Sequence, residues 1–165
     1  MKTKMCVVLS ALMLVGGLGG SNAEARDVAR ALREAMQHQV TMKLISFASQ
    51  NMGKKIGGGQ CTELVDAALA FAGAAPGSNY VWGTNVTGQR IRPGDILQFE
   101  GCRFETTNRW DEFPHHTAIV GGFSGSTVHL LHQNVNGIDS GVVATQLDLS
   151  TKTKGSIMVF RPIPR

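Results

Sequence analysis

Residues 57–72 read GGGQCTELVDAALAFA, a glycine-rich turn that runs directly into apolar residues at helical spacing. Cys61 opens the predicted helix, and Gly73 and Pro76 mark its end. The unpaired N–H groups and the dipole at a helix N-terminus favour a thiolate over a thiol. A thiolate is a nucleophile, and the same amides can receive negative charge that develops on a substrate oxygen. The stretch therefore makes Cys61 a candidate nucleophile.

The rest of the chain predicts helices first and strands second. Helical periodicity from 27 to about 52 predicts a long amphipathic helix, with a possible break near Thr41. Residues 101–114 show no clear periodicity and are predicted to form a surface loop. The order favours an α+β fold over alternating βαβ units. About five strands are predicted, at residues 96–99, 117–120, 127–131, 141–145 and 156–160.

Histidines at the ends of two predicted strands supply a candidate base. His116 directly precedes an apolar strand, and a cysteine hydrolase needs a base within hydrogen-bond reach of its nucleophile. His132 and Asn134 end the next strand, where a hairpin would place either of them beside His116 to orient it. The alternative for this second segment is a turn, because Asn-Gly at 136–137 is a strong turn signal. Both interpretations can hold together.

Four motifs in order resemble the CHAP and NlpC-type cell-wall hydrolases. They read GQCTELV at 59–65, PGDILQF at 93–99, HTAIV at 116–120 and HQN at 132–134. In that superfamily the cysteine opens a helix, a Gly-Asp strand follows, and a histidine starts another strand. CHAP proteins usually carry glutamate where this chain has His132, whereas NlpC-type enzymes use a histidine as the third member of the site.

The resemblance implies a papain-like α+β fold, with N-terminal helices packed on an antiparallel sheet of about five strands. It implies that Cys61 is the nucleophile, that His116 holds it as a thiolate, and that His132 and Asn134 orient the imidazole. The implied reaction is hydrolysis of a peptide or amide bond in peptidoglycan. The Gly-Asp turn containing Asp95 is expected to be structural.

Gln60, Tyr80 and Trp82 are candidate substrate-binding residues. Gln60 adjoins the cysteine, and the two aromatic residues lie in the loop after the cysteine helix, although aromatics in such loops more often cap a core. No metal or other cofactor is predicted. His129 and His132 are three residues apart, which on a strand directs them to opposite faces, and no paired zinc-ligand motif is present.

Cys102 provides the main alternative. In an oxidising compartment, a Cys61–Cys102 disulfide would remove the nucleophile, and the chain would then be an inactive envelope-binding module of the same fold. We favour a free Cys61, because catalysis accounts for all four motifs and the disulfide for two residues. A further alternative is a cysteine acyltransferase or amidase that acts on a substrate outside the cell wall.

Residues 1–25 are predicted to be a secretory signal peptide. Two lysines precede an uncharged apolar run, and Ala-Glu-Ala at 23–25 fits a cleavage site. The expected mature chain is one domain, 26–165, with an N-terminal helical region over 26–56. It is expected to be secreted or periplasmic, without a stable membrane anchor.

The formal net charge of the chain is +4, and its basic residues are scattered. Phosphate recognition usually needs a concentrated basic face, so nucleic-acid binding is not predicted. The expected partner is a peptidoglycan or other peptide or amide substrate, bound by a monomer.

Overall fold

The computed structural model of the protein describes residues 22–135 and 141–165. Helices come first and strands follow, so the predicted α+β order is confirmed. The turn expected at 136–137 and residues 1–21 of the expected signal peptide lie outside the described residues. The helices are α1 (Asn22–Gln50) and α2 (Cys61–Ala72). The strands are β1 (Thr84–Asn85), β2 (Ile96–Glu105), β3 (Trp110–Ser124), β4 (Thr127–His132), β5 (Val143–Asp148) and β6 (Lys152–Arg161).

The six strands form one antiparallel sheet in the order β1-β6-β2-β3-β4-β5. The prediction of a loop at 101–114 was wrong, because β2 and β3 continue through most of this segment, with Cys102 opposite Phe113. Gly101 has a φ of +58°, and Pro114 stands near it on the neighbouring strand. These two residues interrupt the alternation of buried and exposed side chains, so the period of two is lost although the strands stay paired.

The chain divides into two units, whose described parts are residues 22–34 and residues 35–135 with 141–165. In the described part of the first unit, Arg30 forms exposed ion pairs with Asp27 (3.2 Å) and Glu34 (4.0 Å). No helix among the described residues combines the length and apolar character that crossing a bilayer requires.

The helix α1 continues through Thr41, so the predicted break there was wrong. β-Branched residues have a lower helix propensity, but packing commonly overrides that preference. Here Val40, Leu44 and Ala48 are buried at a spacing of four residues, which holds this part of α1 in helical form.

Each face of the sheet carries a buried apolar cluster. Ile119 of β3 belongs to the same cluster as Leu64 and Val65 of α2. Ala118, its neighbour in the chain, belongs to a second cluster with Phe99. Successive side chains of a strand point to opposite faces, so α2 packs against one face and the second cluster fills the other.

Asp95 fixes the turn before β2 through a buried ion pair. Its carboxylate accepts two hydrogen bonds from the Arg161 guanidinium, each 2.9 Å long, and a third from the Arg92 N–H at 2.8 Å. The Asp95 side chain is almost fully buried, whereas that of Arg161 is 16% exposed. The pair joins the start of β2 to the end of β6.

We expect Asp95→Asn to lower the free energy of unfolding by about 3–5 kcal/mol, because the mostly buried Arg161 guanidinium loses its charged partner. Urea unfolding of the purified protein measures this change. Asp27→Asn is the matched control, since Asp27 forms an exposed pair and its loss should cost about 1 kcal/mol or less. Equal effects of the two substitutions would contradict this role of Asp95.

Candidate active site

The turn before Cys61 is fixed by the side chain of Glu63. Its carboxylate accepts hydrogen bonds from the N–H groups of Gly58 (2.9 Å) and Gln60 (2.8 Å). These bonds, led by the one from Gly58, hold the pKa of Glu63 below its usual value. Gly57 has a φ of +59°, and a Cβ there would lie 2.9 Å from the Glu63 carboxyl group, so this position requires glycine. The first turn of α2 is thereby held in place.

Gln133 ties this turn to the end of β4. Its Nε2 donates to the carbonyl oxygens of Ile56 (2.9 Å) and Gln60 (2.7 Å), and its Oε1 accepts from the Ile56 N–H (3.1 Å). Asn134 adds a bond from its Nδ2 to the Gln60 Oε1 at 3.1 Å. The start of α2, with Cys61, is therefore held beside the segment that follows His132.

His116 and His132 form a buried pair on β3 and β4. Nε2 of His116 lies 2.9 Å from Nδ1 of His132, and Nε2 of His132 lies 2.8 Å from the Thr145 Oγ1. When His132 donates to Thr145, its Nδ1 accepts the proton carried by Nε2 of His116. Nδ1 of His116 is then an acceptor, which is the state that a general base needs.

Burial keeps both imidazoles neutral at pH 7. It lowers the pKa of His116 to about 4, and the neighbouring His115 adds to this shift. Burial also lowers the pKa of His132 to about 3, with a further contribution from His116. The resting site thus differs from the expected thiolate–imidazolium pair, because burial disfavours the charged imidazole.

Cys61 is buried, with 8% of its surface exposed, and its thiol is free. Across residues 22–135 and 141–165, its Sγ forms no hydrogen bond with His116 or His132. Catalytic hydrogen bonds are often long or poorly aligned in ligand-free enzymes and tighten when substrate binds.

Cys102 is also free, so the alternative Cys61–Cys102 disulfide is not formed in this structure. Its thiol lies 3.0 Å from the carbonyl oxygen of Ser156, to which it donates. Burial raises the pKa of Cys102. The thiol is therefore held in its unreactive protonated form.

The three predicted substrate-binding residues differ in their surroundings. Gln60 accepts from Asn134, as described above. Tyr80 is 44% exposed, and its ring meets that of His115 edge-on at 4.2 Å between centroids. Trp82 is buried, and its Nε1 lies 3.4 Å from the Gln98 Oε1. Tyr80 and Trp82 both line a cavity of about 250 Å³ beside α2.

His116 and Asn134 line a different cavity of about 610 Å³, together with residues 110–115. Although they share this cavity, Nε2 of His116 bonds Nδ1 of His132, and Asn134 bonds Gln60 instead. Of the two candidates for a third member, His132 is therefore the one that contacts the candidate base His116.

Sequence analysis missed Thr145, Gln133 and the pair formed by His115 and Glu100. Nδ1 of His115 lies 2.8 Å from the Glu100 Oε2. The position of Gln133 between His132 and Asn134 was an available signal. The sequence offered no signal for Thr145, because its contact with His132 depends on the register between β4 and β5.

The model of the AIM3/BBC1 cysteine proteinase-fold domain matches residues 25–165 of this chain. The chain belongs to this family. Altered inheritance of mitochondria protein 3 of Debaryomyces hansenii is 27% identical to it over 155 residues. The match takes in 79% of this chain but only 16% of that relative, so the chain spans about one sixth of the relative's length.

Among solved structures, "The crystal structure of Ly7917 with the hydrolyzing product of MDP" is similar to this AIM3/BBC1 family member, with a TM-score of 0.51 and 14% identity. The likeness covers 74% of this chain and 62% of that one. "The crystal structure of Ly7917" gives a TM-score of 0.49, 14% identity, and coverage of 73% and 62%. With the family match, the first likeness confirms the papain-like α+β fold. Membership of the CHAP or NlpC groups stays a prediction.

The buried imidazoles predict how stability depends on pH. Their pKa values in the folded protein lie below the unfolded value of about 6.5, so their contribution is complete above pH 6.5 and is lost as the pH falls towards 4 for His116 and towards 3 for His132. Within this window, each imidazole should lower the free energy of unfolding by roughly 1.4 kcal/mol for every unit by which the pH falls. Chemical denaturation at a series of pH values measures the free energy of unfolding against pH, and His132→Gln should flatten the slope of this plot. His38 is an exposed histidine on α1, so His38→Gln should leave the slope unchanged. Parallel slopes for all three proteins would contradict the buried neutral pair.

The two thiols should differ in reactivity. Iodoacetamide is expected to label Cys61 of the folded protein before Cys102, because burial and the bond to Ser156 keep the second thiol protonated. Mass spectrometry of proteolytic fragments assigns the label to each cysteine. Denatured protein is the control, in which both cysteines should react alike. Preferential labelling of Cys102 in the folded protein would refute this assignment.

Proposed function

We propose that this cysteine proteinase-fold domain is a hydrolase that cleaves peptide or amide bonds, with Cys61 as nucleophile and His116 as general base. The observation that carries the proposal is the buried His116–His132 pair at 2.9 Å, on strands that Gln133 ties to the turn before Cys61. A nucleophile at a helix N-terminus, a base, and a third group that orients the base are the three parts that covalent hydrolysis needs.

The proposed reaction begins with the neutral pair. Nδ1 of His116 takes the thiol proton as the Cys61 sulfur attacks the carbonyl carbon. Negative charge moves to the carbonyl oxygen, which backbone N–H groups at the start of α2 receive. His116 is then an imidazolium, whose Nε2 proton stays bonded to His132 while Thr145 accepts from the second ring.

Collapse of the tetrahedral intermediate breaks the C–N bond. The imidazolium gives its Nδ1 proton to the departing amine, and a thioester on Cys61 remains. Neutral His116 next takes a proton from water as the oxygen attacks the thioester carbon. The C–S bond then breaks and the carboxylic acid leaves, while the His116 imidazolium returns its proton to the sulfur and restores the free thiol.

The substrate that we propose to test first is a peptide or amide bond in peptidoglycan, acted on by a monomer. This choice is supported by the order of motifs shared with CHAP and NlpC-type hydrolases. Export by a signal peptide over 1–25, to the periplasm or outside the cell, belongs to the same proposal. The D. hansenii relative's name refers to mitochondrial inheritance, which is a reason to test peptides and amides outside the cell wall in parallel.

Hydrolysis of purified peptidoglycan fragments and capped peptides, followed by mass spectrometry of the products, tests the proposal. Cys61→Ala should abolish turnover. His116→Gln should lower it by roughly 10²–10⁴-fold, the usual contribution of a general base. Thr145→Val should have a smaller effect, because it removes only the acceptor for His132.

His129→Gln is the matched control, since His129 lies on the same strand as His132 but bonds Ser124. Its turnover should equal that of the unmodified protein. Full turnover in Cys61→Ala would refute the proposed nucleophile. A transferred acyl group in place of a free acid would indicate the acyltransferase alternative.

A further inference from the structure

The cavity of about 250 Å³ beside α2 is separate from the one that contains His116. It lies between the first two turns of α2, which contribute Thr62 and Asp66, and the loop at 77–82. Ligand pockets commonly measure about 300–1,000 Å³, so a space of this size suits one side chain of a larger substrate.

The side chains around this cavity have unused hydrogen-bonding capacity. In the part of the chain that the structure describes, the side chains of Thr62, Asp66, Ser78 and Asn79 make no hydrogen bond with protein. Among the described residues that line the cavity, Asp66 is the charged one. Desolvation, followed by the charge of Glu63, raises the pKa of Asp66.

The cavity begins at the residue that follows Cys61. Thr62 lines it, and Asp66 is four residues further along, on the same face of α2. Asp66 is five residues beyond Cys61, which is about 7.5 Å along the helix axis and about 140° around it. The cavity is therefore placed for a side chain of a residue beside the scissile bond, in a substrate whose carbonyl carbon meets Cys61.

The wall opposite α2 is held in a fixed shape. Asn79 and Tyr80 have φ values of +50° and +60°, an uncommon conformation that is often found at functional sites. The Tyr80 ring rests against His115, and a Cβ on Gly77 would lie 2.3 Å from the Trp82 ring. Tyr80 thus presents an aromatic ring beside a carboxylate, a combination that attracts cations.

We propose that this cavity binds a cationic side chain of the substrate, from lysine, arginine or another diamino acid, with Asp66 as the charged partner. The assignment deepens the proposed function, because it treats Cys61 as the reacting group. It names Asp66 as a specificity-determining residue and Tyr80 as the ring that covers the alkyl chain. Thr62, Ser78 and Asn79 supply oxygen acceptors for the remaining ammonium or guanidinium hydrogens.

Binding measured without turnover tests this assignment. The Cys61→Ala variant, labelled with ¹⁵N, is titrated with capped Ala-X-Ala peptides in which X is lysine, norleucine or glutamate. Norleucine matches the lysine chain without its charge. Because Asp66 is exposed at the cavity rim, we expect the lysine peptide to bind only about fivefold more tightly than the norleucine peptide. Amide signals of residues 62, 66 and 78–80 should shift.

Adding Asp66→Asn to the Cys61→Ala variant should make the affinities for the lysine and norleucine peptides equal. Adding Asp66→Lys instead should make the glutamate peptide the tightest ligand. Glu34→Gln is the control for net charge, since Glu34 does not line the cavity. The assignment would be overturned if the protein with Asp66 intact bound the lysine and norleucine peptides equally, or if it showed no detectable binding of the lysine peptide. It would also be overturned if the amide shifts were confined to residues of the His116 cavity. Failure of the proposed function would appear separately, as absent turnover by the protein with Cys61 intact.

Discussion

The side-chain amide of Gln133 is the contact on which the geometry of the candidate site depends. It is fully buried and uses its oxygen and both N–H groups on the backbone of Ile56 and Gln60, which lie 77 and 73 residues away in the chain. An unpaired buried amide costs about 1–3 kcal/mol, so the fully bonded arrangement is strongly preferred over any partly bonded one. The bonds hold the start of α2, and hence Cys61, against the strand that carries His132.

Two effects of opposite sign determine the protonation state of this site. A helix N-terminus favours a thiolate by about 0.3–1 kcal/mol. Burial lowers the pKa of His116 from 6.5 to about 4, which corresponds to roughly 3 kcal/mol against its charged form. The second effect is larger, so the imidazole stays neutral until the sulfur begins to react. The charge on the imidazole then appears together with the charge on the substrate oxygen, which backbone amides can stabilise.

The sequence was sufficient for features that depend on local patterns. Glycine and apolar spacing located α2, and the two strand ends placed His116 and His132 as neighbours. Contacts that depend on register or on unusual backbone conformation were not predictable. The strands through 101–114 were missed because Gly101 breaks their alternation, and Thr145 was missed because nothing in the sequence fixes how β5 pairs with β4.

The contact between Tyr80 and His115 relates the two cavities to each other. Tyr80 lines the cavity beside Asp66, whereas His115 lines the cavity that contains His116. Under the two proposals, the base acts on one side of this ring contact and the charged partner of the substrate side chain lies on the other. Base and charge selection would then act on different parts of one substrate, because a single ring contact separates the cavities that supply them.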